Sequence, residues 1–162
     1  MKSEETKPPI LVIGYGNILR RDDGVGWAAA RRLVDQLPGD QAAVLTAPQL
    51  LPELAETVSH AQRVIFIDAD AELPAGEIHK SAVEPGTVAK SLGHHQTPQG
   101  ILRLARDLYR HAPQAFIYTI GGADFSFGCT LSQPVQIALR KVVQSVVDAV
   151  MDFSKHGGCC HA

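Results

Sequence analysis

Acidic and imidazole side chains occur at three places in this 162-residue sequence, and each place could carry chemistry. An acidic pair, Asp22-Asp23, lies in a glycine-rich segment near the start, Asp68 directly follows the apolar run Val64–Ile67, and two histidines are adjacent at His94-His95. Carboxylate and imidazole groups together are a ligand set for a borderline divalent metal such as nickel or zinc. They are also an acid/base set, and residue types alone do not separate the two uses.

The order of apolar segments predicts how these three places are positioned. Continuous apolar runs, typical of strands buried on both faces of a parallel sheet, alternate with stretches of helical periodicity. We predict strands at 10–13, 44–46, 64–67 and 116–120, an edge or hairpin strand at 78–83, and helices at 25–37, 52–60, 97–109 and 132–153. Thr97, which is followed by a proline, and Ser132 are the predicted N-caps of the last two helices. This alternation indicates a parallel sheet between helical layers, in which working residues collect at the carboxyl ends of the strands.

Length and composition indicate one domain and exclude several classes of protein. With 45% hydrophobic and 20% charged residues the chain is not intrinsically disordered, and a net charge of −2 argues against a nucleic-acid surface. We find no apolar run of the roughly 18 residues that span a membrane, and no disulfide framework among three cysteines. We therefore expect a cytoplasmic protein with a disordered tail over 1–9, a single α/β domain over 10–153 and a flexible tail over 154–162.

The segment that follows the first predicted strand begins with G-x-G but does not fit dinucleotide binding. The third glycine of that fingerprint would fall at Leu19, and Asp22-Asp23 would repel a pyrophosphate. The segment instead resembles the G-x-G-N-x-L-x-x-D-[DE]-x-x-G signature of the [NiFe]-hydrogenase maturation endopeptidases. The residues in register are Gly14, Gly16, Asn17, Leu19, Asp22, Asp23 and Gly26. With weaker agreement in later segments, the resemblance extends over roughly 10–150.

The resemblance implies a fold and a set of site residues. The fold of this family is a three-layer α/β/α sandwich around a twisted, mainly parallel sheet. Its metal-interacting and catalytic residues correspond here to Asp23, Asp68 and a histidine before the third helix. His94 precedes the aliphatic pair Ile101-Leu102 by the family's spacing of seven and eight residues, whereas His95 requires a shift of one residue. We select His94 and keep His95 as the alternative.

The resemblance also implies the activity and its partner. Members of the family are endopeptidases that remove the C-terminal extension of the nickel-loaded large-subunit precursor of a [NiFe] hydrogenase. The nickel would be contributed by that precursor, held by its thiolates, and engaged by the three site residues. No permanent cofactor, nucleic acid or membrane is then required.

Two other functions and several structural interpretations stay open at this point. A non-catalytic nickel-binding maturation chaperone could use the same side chains together with Cys159-Cys160-His161, and a nucleotide- or nucleoside-binding domain could share the topology. Asp22 is interpreted as an acid that complements the helix dipole, and Asn17 as a residue that shapes the loop. The segment Phe125–Phe127 could line a substrate groove or fill the core.

Overall fold

In residues 7–87 and 96–157, which a computed structural model of the chain describes, five strands alternate with four α-helices. The strands are β1 Ile10–Tyr15, β2 Ala42–Ala47, β3 Arg63–Asp70, β4 Ile78–Val83 and β5 Gln114–Gly121. The helices are α1 Val25–Val34, α2 Leu54–Ser59, α3 Pro98–Tyr109 and α4 Gln133–Gly157, and a 3-10 helix covers Arg21–Gly24. Every strand and helix predicted from the sequence is present.

The strands form one sheet in the order β2-β1-β3-β5-β4. The first four run parallel, with Gly14 opposite Ile67, and β4 pairs antiparallel with β5 at one edge. The predicted edge strand and the mainly parallel α/β sandwich are thereby confirmed. Because β2 lies on one side of β1 and β3 on the other, the chain changes direction between β1 and β3. In open α/β sheets such a switch point is where ligands bind.

Two apolar cores lie on opposite faces of the sheet. Along β1, Ile10 and Val12 contribute to the core that includes α1 and α4, while Leu11 and Ile13 contribute to the core that includes α2 and α3. This alternation explains the unbroken apolar run, because both faces of the strand are covered by helices. The buried apolar residues of α4 include Val135, Leu139, Val142, Val143, Val146 and Val150.

The start of α3 was predicted from the sequence, whereas the ends of α1 and α4 differ from the prediction. Thr97 caps α3 as predicted, since its side-chain oxygen accepts a hydrogen bond from the Gly100 amide at 3.1 Å. Helix α1 ends at Val34 rather than residue 37, and α4 continues to Gly157 rather than ending at Phe153.

None of the described helices, α4 included, is long and apolar enough to cross a membrane.

Candidate active site

Glycines allow the loop between β1 and α1 to lie directly against the sheet. A Cβ atom at Gly14 would collide with the carbonyl of Gly26, and a Cβ atom at Gly26 would collide with the carbonyl of Ile67 in β3. Gly16 has a φ of +137°, and a Cβ atom there would collide with the Asp23 carbonyl. Because these glycines lack a side chain, the 3-10 helix and the start of α1 can pack directly against the ends of β1 and β3.

This close approach brings Asp23 to the switch point of the sheet. Asp23 is partly buried, and its Oδ2 accepts a hydrogen bond from the Asn17 amide at 2.7 Å. The Asn17 side chain in turn accepts a hydrogen bond from the Leu19 amide at 2.9 Å, which confirms its role in shaping the loop. One carboxylate oxygen of Asp23 is thus held by backbone.

Asp68 lies near the end of β3, on the other side of the same switch point. It is partly buried, and its Oδ1 accepts a hydrogen bond from the Ala69 amide at 2.8 Å. The pKa of this carboxyl is raised to about 6, chiefly because the group is buried and in smaller part because of the charges of Asp23 and Asp70. The Tyr15 hydroxyl and the Ala69 amide act in the opposite direction and offset part of this rise. Gly26, three residues after Asp23, packs against the carbonyl of Ile67, the residue before Asp68. The structure therefore brings the two predicted site residues to the same end of the sheet, where the charge of Asp23 acts on Asp68.

Tyr15 is a member of the site that the sequence did not reveal. Its ring stands edge-on to Phe66, with 6.5 Å between ring centroids, and its hydroxyl interacts with the Asp68 carboxyl. Burial, followed by the negative charges of Asp68 and Asp23, raises the pKa of the Tyr15 hydroxyl, so it remains a proton donor. Its position at the carboxyl end of β1, between two glycines, is the signal that could have identified it.

The histidine part of the predicted site, His94 with His95 as the alternative, lies outside the described residues. The described chain resumes at Gln96, whose amide donates a hydrogen bond to the Leu50 carbonyl at 3.0 Å, in the segment that follows β2. Within residues 7–87 and 96–157 no group of three or more His, Cys, Asp and Glu side chains could hold a metal ion. Asp23 and Asp68 are thus two members of a predicted set of three, and the third stays a prediction.

Asp22 has a different role from the one predicted for it. It is fully buried, and its carboxylate accepts hydrogen bonds from the amides of Ala123, Asp124 and Ser132 and from the Ser132 hydroxyl, at 2.7 to 3.0 Å. Burial alone would raise the pKa of Asp22, but these hydrogen bonds outweigh it and lower the pKa. Asp22 therefore ties the loop after β1 to the loop after β5, and the Ser132 hydroxyl, predicted to cap α4, is used for this bond instead.

The two phenylalanines that follow β5 have different environments. Phe125 is partly buried, with its ring against the backbone of Gly122, whereas the Phe127 side chain is 82% exposed. Neither side chain belongs to the two apolar cores, because Phe125 packs against its own loop and Phe127 faces solvent. The Cys159-Cys160-His161 tail lies outside the described residues.

By sequence the chain matches no family model and no curated protein. By structure it is similar to the hydrogenase maturating endopeptidase HybD from E. coli, with a TM-score of 0.73 and 19% identity over 88% of this chain and 92% of that one. The fold is that of the [NiFe] hydrogenase maturation proteases.

Further structures with this maturation-protease fold come from archaea. The [NiFe] hydrogenase maturation protease HycI from Thermococcus kodakarensis has a TM-score of 0.71 and 16% identity, and the alignment covers 92% of this chain and 95% of that one. A hydrogenase 2 maturation peptidase from a Thaumarchaeota archaeon has a TM-score of 0.64 and 24% identity, with 87% and 97% covered. The resemblance found in the sequence is therefore confirmed for the fold across nearly the whole length of these chains.

Proposed function

We propose that this protein is an endopeptidase that removes the C-terminal extension of the nickel-loaded large-subunit precursor of a [NiFe] hydrogenase. The observation that carries the proposal is the meeting of Asp23 and Asp68 at the switch point of a maturation-protease fold. Fold alone does not define a function, since one topology can host many. Here two acidic side chains, identified from a motif and from a strand end, also converge where this fold binds ligands.

The electrostatics of the two carboxylates favour a cation between them. Asp68 is hard to ionise because it is partly buried and because Asp23 is negatively charged. A divalent cation between the two groups would reverse both effects, since it stabilises the ionised form of each. Nickel accepts carboxylate and imidazole ligands, so His94 or His95 would complete the set. The nickel belongs to the precursor, and the protein itself needs no resident metal.

The residues of the chain then have distinct tasks in the reaction. Asp23, fixed by the Asn17 amide, and Asp68 bind the nickel that substrate thiolates already hold, which places the scissile peptide beside the site. Tyr15 orients the Asp68 carboxyl through its hydroxyl. A carboxylate oxygen of either aspartate that is not used to bind nickel could accept a proton from an attacking water. Cleavage would thereby depend on prior insertion of the metal.

The test compares nickel-loaded with nickel-free precursor as substrates of the full-length protein. Loss of the C-terminal peptide is followed by intact-protein mass spectrometry. We expect the loaded precursor to be shortened and the nickel-free one to stay intact. Equal processing of both would refute nickel dependence while leaving the peptidase activity standing, and processing of neither would refute the peptidase itself.

Two variants and a matched control separate chemistry from folding. Asp23→Asn and Asp68→Asn should each abolish cleavage, because a neutral amide is a weak nickel ligand and a poor base. Asp35→Asn removes an exposed carboxylate just after α1 and should leave cleavage unchanged. A chain that binds the loaded precursor but never shortens it would instead fit a non-catalytic chaperone.

A further inference from the structure

Two loops beside the candidate active site are joined by backbone hydrogen bonds and present apolar side chains to solvent. The Gly128 amide donates to the Leu19 carbonyl at 2.8 Å, and the Arg21 amide donates to the Gly128 carbonyl at 2.9 Å. On this joined backbone the side chains of Ile18, Leu19 and Phe127 are 49%, 47% and 82% exposed. Single exposed apolar residues are ordinary, but three on one hydrogen-bonded platform indicate a contact surface.

A groove of about 340 Å³ runs from this platform to α1. Its main lining residues, which define the docking groove, are Ile18, Arg21, Trp27, Arg31, Cys129 and Leu131. The Trp27 ring is fixed in the wall, because its indole N–H donates to the Ala47 carbonyl at 2.8 Å. The groove therefore has a stable apolar wall of the kind that receives side chains of a bound polypeptide.

The charge of the docking groove is positive. Arg21 lies 3.4 Å from an Asp124 carboxylate oxygen and donates to Thr130 at 2.9 Å, so its charge is partly compensated. Arg31 is exposed and forms no ion pair with any described residue. No acidic residue is among the described residues that line the groove. A guanidinium that pairs with no acidic group of the described chain, beside apolar walls, complements a carboxylate next to an apolar side chain.

The docking groove borders the loop that carries Asp23. Gly24, which also lines it, directly follows Asp23 in the chain. At the other wall, Ile18 follows Asn17, whose amide holds the Asp23 carboxylate. A polypeptide in the groove would therefore contact the loop whose backbone holds the proposed nickel-binding carboxylate.

We propose that the docking groove binds an extended segment of the precursor in which an acidic side chain lies next to a large apolar one. The apolar side chain packs against Ile18 and Trp27, and the acidic side chain pairs with Arg31. This proposal rests on the proposed function, because it concerns the same polypeptide substrate. It assigns substrate affinity to the groove and leaves the chemistry to Asp23 and Asp68.

The experiment measures kcat and KM for processing of the nickel-loaded precursor by the wild-type protein, Arg31→Glu and Arg32→Glu. Arg32 is the neighbouring exposed arginine of α1 and does not line the groove, so it is a control for charge. We expect Arg31→Glu to raise KM roughly tenfold with kcat unchanged. This result indicates the loss of a contact that stabilises the bound substrate and the transition state equally. Arg32→Glu should stay within about twofold of wild type. Among Lys substitutions of the precursor's acidic residues that adjoin a large apolar residue, one should restore the KM of Arg31→Glu to the wild-type value.

The possible failures are distinguishable. If wild type cleaves and Arg31→Glu has the KM of Arg32→Glu, the docking groove is not a substrate site, although the proposed function stands. If wild type does not cleave, the proposed function fails and this inference fails with it. If wild type sediments as a dimer and Arg31→Glu as a monomer with unchanged KM, the occupant is a second copy of the chain, which also overturns the proposal. Thermal unfolding of Arg31→Glu and Arg32→Glu, compared with wild type, checks that both variants fold.

Discussion

Replacing Asp68 by asparagine should make the protein more stable at neutral pH while removing its activity. In the folded state the pKa of Asp68 is about 6, against 3.8 for a freely solvated aspartate. The folded protein therefore keeps a proton at a pH where the unfolded chain has released it. The stabilising effect of this proton is complete below about pH 4 and is lost as the pH rises through 6. Above that pH the ionised carboxylate favours unfolding.

The size of the effect follows from the same two pKa values. At about 1.4 kcal/mol for each tenfold change in an equilibrium constant, their difference corresponds to at most about 3 kcal/mol. Asparagine imitates the neutral carboxyl, so Asp68→Asn should gain up to this amount over wild type at pH 7.5. The gain should shrink to roughly 0.5 kcal/mol at pH 4, where the folded carboxyl is neutral and the unfolded one, with a pKa of 3.8, is only about half ionised.

Urea unfolding of the metal-free protein at pH 4, 5, 6, 7 and 7.5 measures this difference directly. The m-values of the two proteins should agree, so that the midpoints report stability. Asp35→Asn, which changes an exposed carboxylate, should follow wild type at each pH. A stability difference between Asp68→Asn and wild type that does not depend on pH, or a variant that is less stable at pH 7.5, would refute the reasoning.

Three further substitutions test the packing around the site. Asp22→Asn should lower the free energy of unfolding by about 2 to 4 kcal/mol, measured as a lower urea midpoint. The buried Asp22 carboxylate accepts four hydrogen bonds, and an amide in its place would leave at least one donor at Ser132 without an acceptor. An unchanged midpoint would contradict this role. Gly26→Ala should prevent the native fold from forming, as measured by circular dichroism and solubility, since its Cβ would collide with backbone that cannot move; a soluble variant with native melting would show that the helix can retreat. Thr97→Ala should cost about 1 kcal/mol in thermal or urea unfolding through loss of the α3 cap, and Thr97→Ser should retain it.

The fold was largely predictable from the sequence because its signals are local. The apolar runs Ile10–Ile13 and Val64–Ile67 read as strands covered on both faces, and each is buried in the structure. Thr97 before a proline predicted a helix start that the structure confirms. The extra length of α4 was not predicted, because residues 154–157 include no apolar side chain that would continue the helical apolar stripe.

The site was predictable only in part, because some of its contacts join distant segments. The rule that working residues collect at strand ends selected Asp68, and the motif selected Asp23, and the two are brought together. The role of Asp22 depends on amides about a hundred residues later in the chain, which no local pattern reveals. Tyr15 was not identified from the sequence, because an aromatic residue after an apolar strand is typical of a core position. Only the structure shows its hydroxyl beside Asp68.

The central claim is that Asp23 and Asp68 bind one and the same cation. Diffraction from crystals of the protein soaked in Ni²⁺, with data collected at the nickel absorption edge, locates the metal without reference to activity. We predict one strong anomalous peak with carboxylate oxygens of both residues at roughly 2 Å, and a histidine nitrogen from position 94 or 95 completing the set. A peak bound to only one of the two carboxylates, or nickel bound elsewhere with this site empty, would contradict the account.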